Sequence, residues 1–251
     1  MAKQTISTDR VINKLDELLG RNDYESAEKH LLYWLGEASL VNDKRCVLLI
    51  KNELAGLYRK LSREEDALKT VEDALSLITE MGIENNVGAA TTYLNCATVY
   101  KAFSKAKESI PLFEKAKSIY EKELPCDDKR FGGLYNNMAL SFVDLKRFGD
   151  AYDLYNKAIS VMEKTEDGML EVAITYLNIA SAKEAEIGSV ESEEFVREYV
   201  EKAMKILDEY KNKDGYYAFV CEKCASVFGY FGYFLYKKEL SERAKEIYER
   251  S

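Results

Sequence analysis

The stretch Asn95-Cys96-Ala97-Thr98-Val99-Tyr100 decides the fold, because the chain contains it in several versions. Upstream stands Asn52-Glu53-Leu54-Ala55-Gly56-Leu57-Tyr58. Downstream stand Asn137-Met138-Ala139-Leu140-Ser141-Phe142 and Asn178-Ile179-Ala180. The small residue returns at Ala55, Ala97, Ala139, Ala180 and Ala225, in steps of 42, 42, 41 and 45 residues. A second small residue follows twelve positions later at Ala67, Ser109 and Ala151, and a third seven beyond that at Ala74, Ala116 and Ala158. Val196 and Ala203 keep the seven-residue step in a fifth unit. Near the N-terminus Leu15, Ala27 and Trp34 keep both steps with large residues at either end. Self-similarity at a period of roughly 20–50 residues marks a stacked-repeat architecture.

Each period holds two segments with apolar residues at helical spacing. In the third unit these are Val87–Phe103 and Lys105–Lys122, and in the fourth Lys129–Leu145 and Phe148–Lys164. Small residues such as Ala97 and Ser109 belong where two helices approach closely. Tyr93, Tyr100, Phe113 and Ile119 fill the grooves between helices. One hairpin cannot bury both its faces, so hairpins must stack. The expectation is an all-α solenoid of about six helix hairpins, forming a single domain over 1–251, with units near 8–40, 44–82, 87–122, 129–164, 169–211 and 215–251. Ser62-Arg63-Glu64-Glu65 reads as a capping box, and Ser192 and Ser241 read as capping hydroxyls. Gly82, Gly168 and Gly215 are expected at or just beyond helix ends, where a left-handed residue is needed.

Composition narrows the class. The 251 residues carry 36 Lys plus Arg against 44 Asp plus Glu, a net charge of −8, which argues against a nucleic-acid partner. Only two prolines, Pro111 and Pro125, interrupt the chain, which favours helices over a many-stranded sandwich. Residues Met1–Arg10 contain no apolar run of the kind that directs secretion. The five cysteines are odd in number and mostly far apart, which suits a reducing compartment; a cytoplasmic location is expected. The aromatic stretch Tyr216–Tyr236 contains Glu222 and Lys223, so it reads as a buried helix and membrane contact is not expected.

Nothing selects a catalytic site. The single histidine, His30, sits on a helix, and no Gly-rich phosphate loop or nucleophile elbow occurs. The expectation is a protein that is not an enzyme and needs no cofactor or metal. Cys221-Glu222-Lys223-Cys224 has metal-ligand spacing but lacks a second ligand pair. Its cysteines align with Tyr93 and Tyr135, and with Cys96 and Met138, which are packing positions.

Tyr93, Ala97 and Tyr100 with Ser109, Phe113 and Ala116, and again Tyr135, Ala139 and Phe142 with Ala151, Tyr155 and Ala158, resemble the tetratricopeptide repeat family. The usual period of that family is 34 residues. A period of 41–45 without the helix-ending proline is similar to the longer-repeat subclass of kinesin light chains and bacterial peptide-sensing regulators. The resemblance implies a right-handed superhelix whose concave side, lined by the first helix of each unit, holds a protein or peptide. The inward positions expected here are Asn52, Arg59, Thr91, Asn95, Lys101, Asn136, Asn137, Asn178, Glu222 and Lys223. Asparagine is a weak helix former, so helix propensity does not explain Asn95, Asn137 and Asn178. Their amides match a peptide backbone; the alternative is that each bonds the neighbouring helix and fixes repeat geometry.

The last unit reads differently. Ala225 and Ala244 lie 19 residues apart, which as a lengthened twelve-residue step gives a long first helix over Tyr216–Tyr236 and a short closing helix over Ser241–Ser251. Its aromatic residues Tyr230, Phe231, Tyr233 and Phe234 then form an uncovered face. The rival reading is therefore a self-assembling structural protein, pairing as a homodimer through this unit. Bending at Gly229 or Gly232 to bury the rings within the chain is the third arrangement.

Overall fold

The computed structural model describes residues 5–165 and 168–250, and among them it contains twelve α-helices and no strand. They divide into two compact units, Met1–Leu124 and Pro125–Ser251. The first unit holds α1 (Thr8–Gly20), α2 (Tyr24–Leu40), α3 (Lys44–Lys60), α4 (Glu64–Met81), α5 (Val87–Ala102) and α6 (Ala106–Glu123). The second holds α7 (Arg130–Asp144), α8 (Phe148–Met162), α9 (Gly168–Ile187), α10 (Ser189–Glu209), α11 (Gly215–Tyr230) and α12 (Phe234–Tyr248).

The spaced small residues are core residues. Ala67, Ala74, Ala97, Ser109 and Ala116 are buried in the first unit, and Ala139, Ala151, Ala158, Ala180, Ala203 and Ala225 in the second. Large side chains fill what they leave: Phe113 and Tyr120 are fully enclosed in the first unit, Tyr155, Tyr217 and Phe228 in the second. His30 contributes to the joint between α1 and α2, with its Nε2 2.9 Å from the Val11 carbonyl. Cys221 and Cys224 are buried, and burial pushes both thiols up, Cys224 to about 12.

Each hairpin turns on one residue with a left-handed backbone: Asn22, Ser62 and Ser104 in the first unit, and Lys146, Gly188 and Gly232 in the second. The preceding helix is closed by a backbone bond that reaches back over the turn. Examples are Arg63 N to Tyr58 O at 2.9 Å, Lys105 N to Tyr100 O at 2.9 Å, and Arg147 N to Phe142 O at 2.8 Å. This corrects the capping-box reading of Ser62-Arg63-Glu64-Glu65. Ser62 is the left-handed residue (φ +56°), and Arg63 precedes the helix, holding Asp66 and Glu28 through its guanidinium. Ser192 and Ser241 lie inside helices, donating to Gly188 O and Lys237 O respectively. Gly82 does end α4 at φ +63°, whereas Gly168 and Gly215 begin helices.

The last hairpin also departs from expectation. α11 stops at Tyr230, Gly232 turns the chain at φ +86°, and α12 starts at Phe234. Ala244 is therefore the third small residue of the series, and Lys237 occupies the second place. Lys237 is exposed, so the hairpin accommodates it with its side chain passing over Gly229, where a Cβ would come 2.6 Å from the Lys237 Cδ. The aromatic stretch folds back into its own unit. Phe228 is fully buried and packs edge-to-face on Tyr236 and Tyr233, with centroids 4.7 and 6.2 Å away. Tyr236 Oη and Arg243 Nη2 both donate to Asp208 Oδ1 at 2.8 Å, pinning α12 to α10. Tyr230 and Phe234 remain 70% and 69% exposed.

Candidate binding cavities

Each unit has an open cavity on the face formed by its first helices. In the first unit it measures about 460 Å³ and lies over α3, α5 and the α4–α5 turn. Asn52 of α3 organises its floor. The amide Nδ2 of Asn52 donates to Leu48 O at 3.0 Å and to Thr92 Oγ1 at 2.9 Å. Asn95 Nδ2 in turn donates to Asn52 Oδ1 at 3.3 Å. The helices are thus joined by amides that still offer unused donors and acceptors to the cavity. Thr91 and Glu53 also line it. Arg59 and Lys101, expected in the groove, lie outside this cavity on α3 and α5.

The cavity of the second unit measures about 760 Å³ and gathers four expected residues: Asn136, Asn137, Asn178 and Lys223. Asn178 Nδ2 donates to Asn136 Oδ1 at 3.0 Å, linking α9 to α7, and Asn136 is 7% exposed. Among the described residues Asn137 Nδ2 donates within its own helix, to Gly133 O at 2.8 Å. The geometry-fixing alternative therefore describes some of the asparagines and not all. Asn52, Asn95, Asn136 and Asn178 bridge helices, and Asn137 does not.

Besides Lys223, the cavity is lined by the charged Lys129, Arg130, Glu171 and Asp214 and by the phenol of Tyr216, which repeat matching alone does not select. Most of this charge is internally satisfied. Arg130 forks onto Asp128 at 2.8 and 2.6 Å and holds that carboxyl down at about 2. Asp214 caps α11 by accepting from Tyr216 N and Tyr217 N at 2.9 and 3.0 Å. Tyr216 Oη donates to Glu171. Lys129 adds its charge to that of Arg130 on Asp128, and Lys223 forms no ion pair with a carboxylate among the described residues. A sequence signal did exist in Gly132-Gly133, two glycines inside a helix. A Cβ at Gly132 would come 2.0 Å from Met162 Cε, so packing demands that glycine. A Cβ at Gly133 would meet nothing within 4 Å, and Gly133 forms part of the cavity wall.

Comparison with known proteins agrees with this architecture. The tetratricopeptide repeat family profile matches residues 46–122, which run from α3 through α6. Protein KINESIN LIGHT CHAIN-RELATED 2 of Arabidopsis thaliana is 22% identical over 144 residues, 57% of this chain; the match spans only 21% of that relative's length. The crystal structure of BtubC (BKLC) from P. vanneervenii superposes with a TM-score of 0.67 at 19% identity, covering 81% of this chain and 82% of that one. Nearly identical, kinesin-light-chain-like repeats from P. anserina superpose at a TM-score of 0.54 and 16% identity, covering 80% and 94%. Over residues 46–122 the chain is thus similar to tetratricopeptide repeats, and its fold is similar to that of the kinesin-light-chain-like repeat structures.

Proposed function

We propose that this protein is a non-enzymatic interaction module that holds an extended segment of a partner protein on its first-helix faces, with the second unit's cavity as the principal seat. Repeats of this kind serve as protein–protein interaction modules, and their concave faces are the usual binding surfaces. The observation that carries the reading is the convergence of Asn136, Asn137, Asn178 and Lys223 on one cavity large enough for several residues of peptide. Amides suit a peptide backbone, since each offers an acceptor and two donor hydrogens. Gly133 forms part of the wall, and a Cβ there would meet nothing within 4 Å, so a larger side chain at this position enters the cavity. Affinity capture from the source organism's extract, with quantitative mass spectrometry, tests the proposal. A partner retained by the wild type should be lost with Gly133→Trp, which fills the cavity, while the thermal melt is unchanged. Equal capture by both proteins overturns the cavity as the seat.

A second reading, self-association through the last hairpin, is favoured by the exposure of Tyr230, Phe234 and Leu235, at 70%, 69% and 87%. Sedimentation equilibrium separates the two. A wild type that stays monomeric at tens of micromolar excludes this dimer. A dimer abolished by Tyr230→Glu with Phe234→Glu supports it.

A further inference from the structure

The first unit's cavity carries one charge of each sign, and the described residues pair with neither. Glu53 lines it from the middle of α3 and Arg45 from the first turn of the same helix. No cationic side chain pairs with Glu53 and no carboxylate with Arg45 among the described residues. The charged group that does face Glu53 is Asp16 on α1, of like sign. Burial first, and that neighbour second, hold the Glu53 carboxyl above the usual carboxylate range. A half-buried carboxylate without a counter-charge destabilises the fold that holds it.

Repeat geometry does not demand the acid. Two positions before the recurring alanine stand Glu53, Asn95, Asn137, Asn178 and Lys223, so three hairpins place a neutral amide where this one places a carboxylate. Between the two charges the wall is apolar, with Leu48, Leu49, Met81 and Ile83, and the amides of Asn52 and Asn95 border it. Arg45 and Glu53 are eight residues apart on α3, which separates them by about 12 Å along the helix axis. In an extended peptide, side chains on one face are spaced by even numbers of residues, and four residues span about 13 Å. A two-residue spacing spans only about 7 Å, and a six-residue spacing about 20 Å.

We infer that the first unit's cavity selects an extended peptide segment bearing a basic and an acidic residue four positions apart, the basic one set against Glu53 and the acidic one against Arg45. The aliphatic stem of a lysine or arginine covers the apolar wall while its charged end reaches the carboxylate. The inference rests on the proposal that first-helix faces bind extended segments, and adds which segments the first unit accepts.

Selection of a random dodecapeptide phage library on immobilised wild type, Glu53→Gln and Arg45→Gln tests it. The wild type should enrich peptides with basic and acidic residues four apart, in either order. Glu53→Gln should lose the basic preference alone, and Arg45→Gln the acidic preference alone. A synthetic winner should bind Glu53→Gln about tenfold more weakly than wild type, consistent with loss of one charge-assisted contact. The same peptide with its basic residue changed to Gln should bind both proteins alike. Enrichment without this charge pattern, or equal weakening of both peptides by Glu53→Gln, overturns the inference and leaves the groove reading standing. No enrichment of any peptide by the wild type overturns both.

Discussion

Replacing Asn137 and Asn178 by alanine, one at a time, separates holding the fold from holding a ligand. Asn137 Nδ2 bonds only Gly133 O, a carbonyl one turn back on the same helix. Its loss breaks no link between helices, and alanine is the better helix former by about 0.5 kcal/mol. Asn137→Ala should therefore leave stability unchanged or raise it by about 0.5 kcal/mol. Asn178→Ala removes the 3.0 Å bond to Asn136 Oδ1 and strands that acceptor in a residue only 7% exposed. An unmet buried group costs about 1–3 kcal/mol, so after the gain in helix propensity the net loss is about 0.5–2.5 kcal/mol. For a chain of this length 1 kcal/mol moves the melting temperature by about 2–4 °C, so Asn178→Ala should melt about 1–10 °C lower. Thermal melts followed by circular dichroism read this difference directly. Both variants should weaken partner binding, by about 2–10-fold for each lost contact. If Asn137→Ala melts as low as Asn178→Ala, or leaves affinity intact, the division of roles between these amides is wrong.

Three further outcomes follow from individual contacts. Gly132→Ala should destabilise by about 1–3 kcal/mol because its Cβ meets Met162, whereas Gly133→Ala should stabilise by about 0.5–1 kcal/mol; urea midpoints in the reverse order would refute the account of this glycine pair. Tyr155 Oη is buried without a hydrogen-bond partner among the described residues, and burial pushes that phenol up, so Tyr155→Phe should raise stability by about 1 kcal/mol, and a lower melting temperature would contradict this. The Asp128 carboxyl is held at about 2 by Arg130, below its unfolded value, so its stabilisation is present above about pH 4 and fades as pH falls through about 2. After solvent screening Asp128→Asn should cost about 1 kcal/mol at pH 7 and a small fraction of that by about pH 2, and a cost independent of pH would refute the linkage.

The helices were legible in the sequence because their determinants are local and periodic. Alanines at steps of twelve and seven, with aromatic residues between them, specify two helices and the face each buries. The turns were harder to read, since Ser62, Ser104 and Lys146 adopt left-handed backbones that glycine would accept more readily. There the closing backbone bonds override residue preference. The last hairpin misled for a related reason. Lys237 is not small, and the solvent exposure that admits it at the second position of the series is set by packing rather than by its residue type. At the cavities the recurring asparagines were visible, because a weak helix former repeated at one position asks for an explanation. Lys129, Glu171 and Tyr216 were not, because they reach the second cavity from different elements and share no repeat position with the asparagines.

Site-specific photo-crosslinking tests the central claim most directly. A p-benzoylphenylalanine replacing Leu140, which lines the second unit's cavity, is compared with one replacing Lys157 on the exposed side of α8. After irradiation in extract and proteolysis, mass spectrometry should find one recurrent partner segment attached at position 140, reduced by Asn137→Ala, and none at position 157. Attachment at 157 alone, or at both positions equally and indifferent to Asn137→Ala, would contradict the claim that this cavity seats the partner.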